Sequence, residues 1–207
     1  MSDLHHDKVS TILQDFIDTH TEETLPIGTL VHAFGERGMA FMLLVFALIC
    51  AIPLPIPGIH MFLSLPLFYI SFYQMIGRTE VWLPKKVMDY KLPRKAFTDI
   101  SLKAIPWIKK VEALSKPRLN FINEGFFYRF FGAVIFGITG VLSIPLFLTN
   151  FVPAIAIALM ALGMLMKDGL PVIAGAILGI LWSIFLFFFY IGLVVIGYYQ
   201  AVAFFGA

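Results

Sequence analysis

Two long apolar stretches, each broken near its middle by proline, constrain this chain more than any other feature. The first runs from Gly38 to Gly77 and the second from Phe130 to Met166, and neither contains an Asp, Glu, Lys or Arg. The first is interrupted by Ile52-Pro53-Leu54-Pro55-Ile56-Pro57-Gly58, the second by Ile144-Pro145-Leu146-Phe147-Leu148-Thr149-Asn150. A helix needs about 20 apolar residues to cross a bilayer core. Each stretch is therefore about twice one crossing, with a break at the far side or in the middle. Proline removes a backbone donor and disfavours helix at the residue before it. Irregular backbone at membrane depth survives only where protein buries it or water reaches it. An integral membrane protein is expected, with the two breaks as candidate functional elements, as in transporters with interrupted helices.

The charges outside these stretches fall into blocks. Of the 207 residues 59% are hydrophobic, which is more apolar than a soluble domain of this size. Residues 1–36 hold seven acids against one base. Residues 78–129 hold twelve Lys and Arg against five acids. From Gly169 to Ala207 there is no charge. The basic block is short enough for the positive-inside rule and is expected in the cytoplasm. Lying between membrane segments, it suits anionic inner-leaflet lipid rather than nucleic acid. The single cysteine, Cys50, allows no disulfide within the chain. The first 36 residues lack an apolar core of the signal-peptide kind, so the membrane segments themselves are expected to direct insertion.

Periodicity adds helices on either side of the first stretch. Val9, Ile12, Leu13, Phe16 and Ile17 share one face of a helix over 7–18, and a second short helix is expected over 29–34. Ile100, Ala104, Ile105, Ile108, Val111 and Leu114 share a face over 100–114. Pro106 is expected there in a first turn or at a kink. That helix suits either an anionic lipid surface or the chain's own membrane bundle. The last run, Leu170 to Ala207, fits one long tilted span or two short ones, with Trp182, Tyr190, Tyr198 and Tyr199 as interface markers. Gly175 and Gly179 would allow a close helix approach, including one between two copies.

Shifting the chain by 92 residues places Arg37 on Arg129, Ile52-Pro53-Leu54 on Ile144-Pro145-Leu146, Gly58 on Asn150 and Gly77 on Gly169. Gly and Asn both tolerate left-handed turns. An internal repeat of broken hairpins is expected, parallel or inverted. Arg37 and Arg129 stand at the mouths of the two stretches. They would bind phosphate or carboxylate through charge-assisted hydrogen bonds, or else anchor to headgroups. Glu36 and Glu124 lie beside them in sequence as ion-pair partners or proton-coupling groups. Asp168, in Lys167-Asp168-Gly169, is a polar turn residue or a carboxylate facing the bundle. His60 follows the first break as a structural group or a proton handle. No nucleophile elbow, HExxH, phosphate loop or metal-ligand spacing is present, so neither an enzyme nor a cofactor is expected.

Gly35-Glu36-Arg37-Gly38, the Pro53/Pro55/Pro57-Gly58 break, Leu65-Pro66, Gln74 with Gly77-Arg78, Trp82-Leu83-Pro84, Lys116-Pro117-Arg118-Leu119, Asn150 with Pro153, and Asp168-Gly169 follow one another at set intervals. In series they resemble the bacterial exopolysaccharide-synthesis ExoD family, from about Leu25 to Leu181. The resemblance implies a bacterial inner-membrane protein tied to exopolysaccharide production, and supplies no catalytic residues. Phe147-Leu148-Thr149 departs from a second Pro-x-Pro-like break.

The expected fold is an all-α integral membrane protein. Acidic cytoplasmic helices (1–36) precede a first broken hairpin (37–77), a basic interfacial segment (78–128), a second broken hairpin (129–168) and a C-terminal membrane segment (169–207). The hairpins are expected to be re-entrant or short and tilted. The expected activity is that of a small transporter or flippase-like protein for an anionic lipid, such as a polyprenyl phosphate, or for an ion. Arg37, Arg129, Glu36, Pro53, Pro57, Gly58, Pro145, Asn150 and Asp168 would line its site. The alternative is a membrane adaptor that organises polysaccharide machinery. Anionic lipid, that machinery and a second copy of the chain are the expected partners.

Overall fold

A computed structural model of the chain describes residues 8–26, 28–29, 33–52, 58–78, 89, 91–114, 124–144 and 150–205. The fold is helical, with one two-stranded ribbon. In chain order the elements are α1 (Val9–Thr19), β1 (Thr24–Pro26), α2 (Gly38–Ala51), α3 (Ile59–Met75), β2 (Lys91–Pro93), α4 (Arg94–Leu114), α5 (Gly125–Leu142), α6 (Phe151–Leu165) and α7 (Gly169–Phe205). A short 3₁₀ turn over Gly35–Arg37 leads into α2. Residues 30–32 of the expected 29–34 helix, and both proline clusters apart from their flanks, lie outside the described residues.

Helices α2, α3, α5 and α6 form a bundle in which α2 packs chiefly on α6 and α3 chiefly on α5, while α7 lies along α6 and touches α5. The first arm of each hairpin thus faces the second arm of the other. Leu43, Leu67, Ile70, Ile135, Leu142, Ile157, Met160, Leu165 and Val172 are fully buried between them. Small residues set the closest approaches. A Cβ on Gly132 of α5 would strike the backbone of Gln74 and Met75 in α3. One on Gly175 of α7 would strike Ala156 and Met160 of α6, and one on Gly179 would strike Ile138 of α5. The two glycines expected to serve helix approach are therefore used inside the chain.

Both returning arms end in the same hydrogen-bonded turn. At the end of α3, Gly77 takes φ +86°, its N–H donates to Gln74 (2.9 Å) and the Arg78 N–H donates to Tyr73 (3.0 Å). At the end of α6, Lys167 takes φ +54°, its N–H donates to Met164 (3.2 Å) and the Asp168 N–H donates to Gly163 (2.9 Å). Each is a Schellman cap, which satisfies carbonyls that a helix end leaves bare. Lys167, not Gly169, matches Gly77. The gap-free register of the sequence comparison therefore ends within the second arm, because α6 has 15 residues where α3 has 17. Gly169 instead opens α7, where Asp168 Oδ1 accepts the Leu170 N–H at 3.1 Å as an N-cap. The other expected equivalence also splits: Gly58 is left-handed (φ +82°), whereas Asn150 is right-handed (φ −83°).

Two helices are long and apolar enough to cross a membrane, Gly125–Leu142 and the Gly169–Gln200 part of α7. Only 33% and 28% of their windows are buried within the chain. A core helix of a soluble protein hides most of its surface. These helices instead present Phe126, Phe130, Phe185, Phe187, Phe188, Val194 and Tyr199 outward, as a membrane protein does. The C-terminal run is one helix, not two. Its 37 residues extend about 55 Å, well past a hydrocarbon core of about 30 Å.

The acidic and basic segments, separate in the sequence reading, are joined. Thr24–Pro26 pairs antiparallel with Lys91–Pro93. The Arg94 N–H donates to Glu23 O at 3.0 Å, and its guanidinium caps α1 at Ile17 O (3.3 Å). Helix α1 then lies on α4. The buried Ser10 donates to Glu112 through its N–H (2.9 Å) and its hydroxyl (2.6 Å), and Phe16 meets Phe97 edge-on. The apolar side of α4, with the buried Ile105, is thus directed at a partner within the chain. The helix begins at Arg94, six residues earlier than the pattern gave, because the ribbon delivers the chain there. Pro106 falls in its interior on the exposed side.

Glu112→Ala leaves two buried Ser10 donors unpaired, a loss of about 1–3 kcal/mol. Faster proteolytic release of the N-terminal helix is the expected readout. Gly175→Leu should drive α6 and α7 apart and lower the thermal midpoint in detergent by several degrees, since over-packing costs about 1–3 kcal/mol.

Candidate functional site

Polar side chains gather where α2 and α5 begin and where α3 and α6 end. Tyr128, in the first turn of α5, donates its hydroxyl to the Arg78 carbonyl and to Met39 Sδ, both at 3.2 Å. Gln74, the penultimate residue of α3, donates Nε2 to Tyr128 O and to Met164 Sδ, both at 3.3 Å. Four helices are thereby tied at one level. The Arg129 guanidinium lies against Gly77, where a Cβ would collide with it. Gly77 thus serves both the left-handed turn and this contact. A guanidinium at the C-terminal end of a helix is favoured by the partial negative charge there. Arg78 stands over the Tyr73 ring, 5.3 Å from its centre. Arg37 closes the turn that leads to Met39.

This end of the bundle therefore carries Arg37, Arg78 and Arg129, with Lys167 and the buried Asp168 at the close of α6. Glu36 is the middle residue of the Gly35–Arg37 turn. The opposite end carries Gly58 and the buried Asn150, whose carbonyl accepts the Ala154 N–H at 3.1 Å. Pro53, Pro57 and Pro145 lie outside the described residues. The residues expected to share one site thus divide between two ends, separated by the 14 residues of α2, or about 21 Å. The arginines do not reach Gly58 or Asn150. Asp168 serves first as the α7 cap.

Arg78 and Gln74 carry more of this site than their sequence context suggested, and Tyr128 was not singled out at all. The available signal was a Gln near the end of an uncharged helix and a Tyr beside the arginine of an amphipathic start. Chemically the arginine end can hold an anion, since guanidinium groups pair with phosphate or carboxylate oxygens in a bidentate manner. Among the described residues no group of three or more His, Cys, Asp or Glu is placed to hold a metal.

Gly77→Ala forces a side chain into the left-handed region and against Arg129. A loss of about 1–2 kcal/mol is expected, read as a lower thermal midpoint. Arg129→Ala in the same background should recover part of it by removing the collision.

Comparison with known proteins gives a consistent answer. The family model described as exopolysaccharide synthesis, ExoD, matches residues 9–188. "Protein ExoD" of Rhizobium meliloti (strain 1021) is 30% identical over 171 residues, covering 81% of this chain and 71% of that one. An uncharacterized protein of Synechocystis sp. (strain ATCC 27184 / PCC 6803 / Kazusa) is 27% identical over 180 residues, covering 84% and 83%. No solved structure matches. The matched span takes in both hairpins, the arginine end and the joined α1–α4 unit, and this chain belongs to the exopolysaccharide-synthesis family ExoD.

Proposed function

We propose that this protein serves exopolysaccharide synthesis from the bacterial inner membrane as a small transporter or flippase-like protein for an anionic lipid of the polyprenyl-phosphate kind. The observation that carries the reading is the convergence of Arg37, Arg78 and Arg129 at one mouth of a membrane bundle. Polysaccharide export consumes lipid-phosphate carriers, and such a headgroup needs charge-assisted donors at the membrane boundary. The arginine end faces the cytoplasm in this reading, because the block of twelve Lys and Arg joins α3 to α5 there. The contacts of α2 with α6 and of α3 with α5 favour two repeated hairpins of parallel orientation, since both start at the arginine end. No covalent chemistry is asked of the protein.

A second reading is an adaptor for polysaccharide machinery. It is favoured by α4, where Lys95, Lys109 and Lys110 are exposed. Anionic lipid or an acidic protein surface would meet these lysines.

Each charge-assisted contact to phosphate contributes about 1.5–3 kcal/mol. In liposomes carrying a labelled polyprenyl phosphate, the Arg37→Ala/Arg129→Ala variant should move the lipid at least tenfold more slowly than the parent. Equal rates in a folded variant exclude the arginine site. If Lys109→Glu/Lys110→Glu abolishes polysaccharide production while the arginine variant supports it, the adaptor reading replaces the transporter.

A further inference from the structure

The seam between α3 and α5 carries a row of buried polar side chains that starts at Gln74, at the arginine end, and runs on beyond it. On α3 these are His60, Ser64, Ser71 and Gln74, spaced 4, 7 and 3 residues apart and so on one helix face. Helix α5 runs antiparallel to α3. Gly132 lies against Gln74 and Met75, and the Phe136 ring meets those of Phe68 and Phe72. Thr139, seven residues beyond Gly132 and fully buried, therefore falls level with Leu67 and Phe68, in the gap between Ser64 and Ser71. Ser143 follows one turn later, beside Ser64. From Gln74 through Ser71, Thr139 and Ser64 to His60, a polar group occurs about every 5 Å along the bundle.

The hydroxyls of this row do not hold the two helices together. The hydroxyls of Ser64, Ser71, Thr139 and Ser143 donate to the carbonyls of Met61 (2.8 Å), Leu67 (2.6 Å), Ile135 (2.8 Å) and Gly140 (2.7 Å), each within its own helix. Acceptor capacity is what remains on each oxygen. Gln74, 1% exposed, spends Nε2 on Tyr128 and Met164, and its Oε1 has no donor among the described residues. The sister seam of α2 and α6 shows the contrast. Its buried side chains are Ala, Leu, Ile, Phe, Met and Pro, with Cys50 and the Asn150 cap at the far end. Packing alone therefore asks for no such row. Unpaired oxygen acceptors repel an anion and call for a ligand rich in donors. A water bridging two oxygens spans about 5.6 Å at ordinary hydrogen-bond lengths, which suits the spacing.

We propose that the α3–α5 seam is a proton path, in which water held on the oxygens from Gln74 to His60 relays protons between the two ends of the bundle. At each hop one O–H bond forms on the next oxygen as another breaks behind it. Nothing is oxidised or reduced, and one proton leaves for each that enters. The path goes beyond the lipid reading and does not depend on it.

The test is proton entry into phosphatidylcholine liposomes holding the full chain and a pH-sensitive dye, driven by a potassium gradient with valinomycin. Entry well above that of protein-free liposomes is expected. It should fall at least tenfold in Thr139→Val, which keeps the side-chain shape, and likewise in Gln74→Leu. Helicity and a single size-exclusion peak check that each variant is folded. Entry no faster than in protein-free liposomes, or unchanged in folded Thr139→Val, overturns the proposal. Sodium entry as fast as proton entry overturns it too, since the seam would then be an unselective pore. Failure of polyprenyl-phosphate movement leaves this result intact.

Discussion

Gly132 lets the backbone of α5 lie directly on that of α3 at Gln74 and Met75, and the rest of the bundle is registered from that contact. With no Cβ in the way, the Gln74 amide reaches the Tyr128 carbonyl on one side and Met164 on the other. The Tyr128 hydroxyl then reaches Arg78 and Met39. In a membrane bundle apolar contact alone gives little register, because lipid tails are as apolar as Leu. Small residues and a few polar contacts supply it. Here one glycine and one glutamine fix the level at which four helices meet.

From that level the two ends of the molecule acquire different chemistry. One end gathers arginines because two helices begin and two end there, and both returning arms close in Schellman turns that keep their carbonyls satisfied. The other end carries Gly58 and Asn150. The same registration brings Thr139 into the gap between Ser64 and Ser71, so an α3 stripe that is discontinuous by itself becomes a continuous row. Gly163, Gly175 and Gly179 play the corresponding part for α7, holding its first half against α6 and α5. Its second half, from Phe187 onward, stands exposed and apolar.

Outside the bundle, the ribbon of Thr24–Pro26 with Lys91–Pro93 folds the acidic N-terminal segment onto the basic segment. Glu112 is the hinge of this pairing, since it takes both donors of a buried Ser10. A helix that reads from sequence as suiting either a lipid surface or the chain's own bundle thus turns its buried Ile105 toward a neighbour and keeps Lys95, Lys109 and Lys110 outward. Two segments of opposite charge, far apart in the chain, become one unit.

The sequence by itself determined that the chain is a helical membrane protein of this family. Apolar runs too long for a soluble core, a helical period over 7–18 and an ordered series of Pro, Gly and Arg motifs are local properties that no packing can reverse. It also marked Gly58 as a left-handed turn and Arg37 and Arg129 as mouths of the hairpins. Only the tertiary structure decided that the arginines lie at the opposite end from Gly58 and Asn150, because a helix converts 14 residues into a fixed length of about 21 Å. Only it decided that Lys167 rather than Gly169 makes the second cap, since two residues fewer in one arm leave no trace in hydropathy. The partnership of α1 with α4 and the alignment of Thr139 with the α3 stripe were equally beyond reach. Both depend on which helices touch and at what level, and that follows from glycine contacts between segments that sequence periodicity treats one at a time.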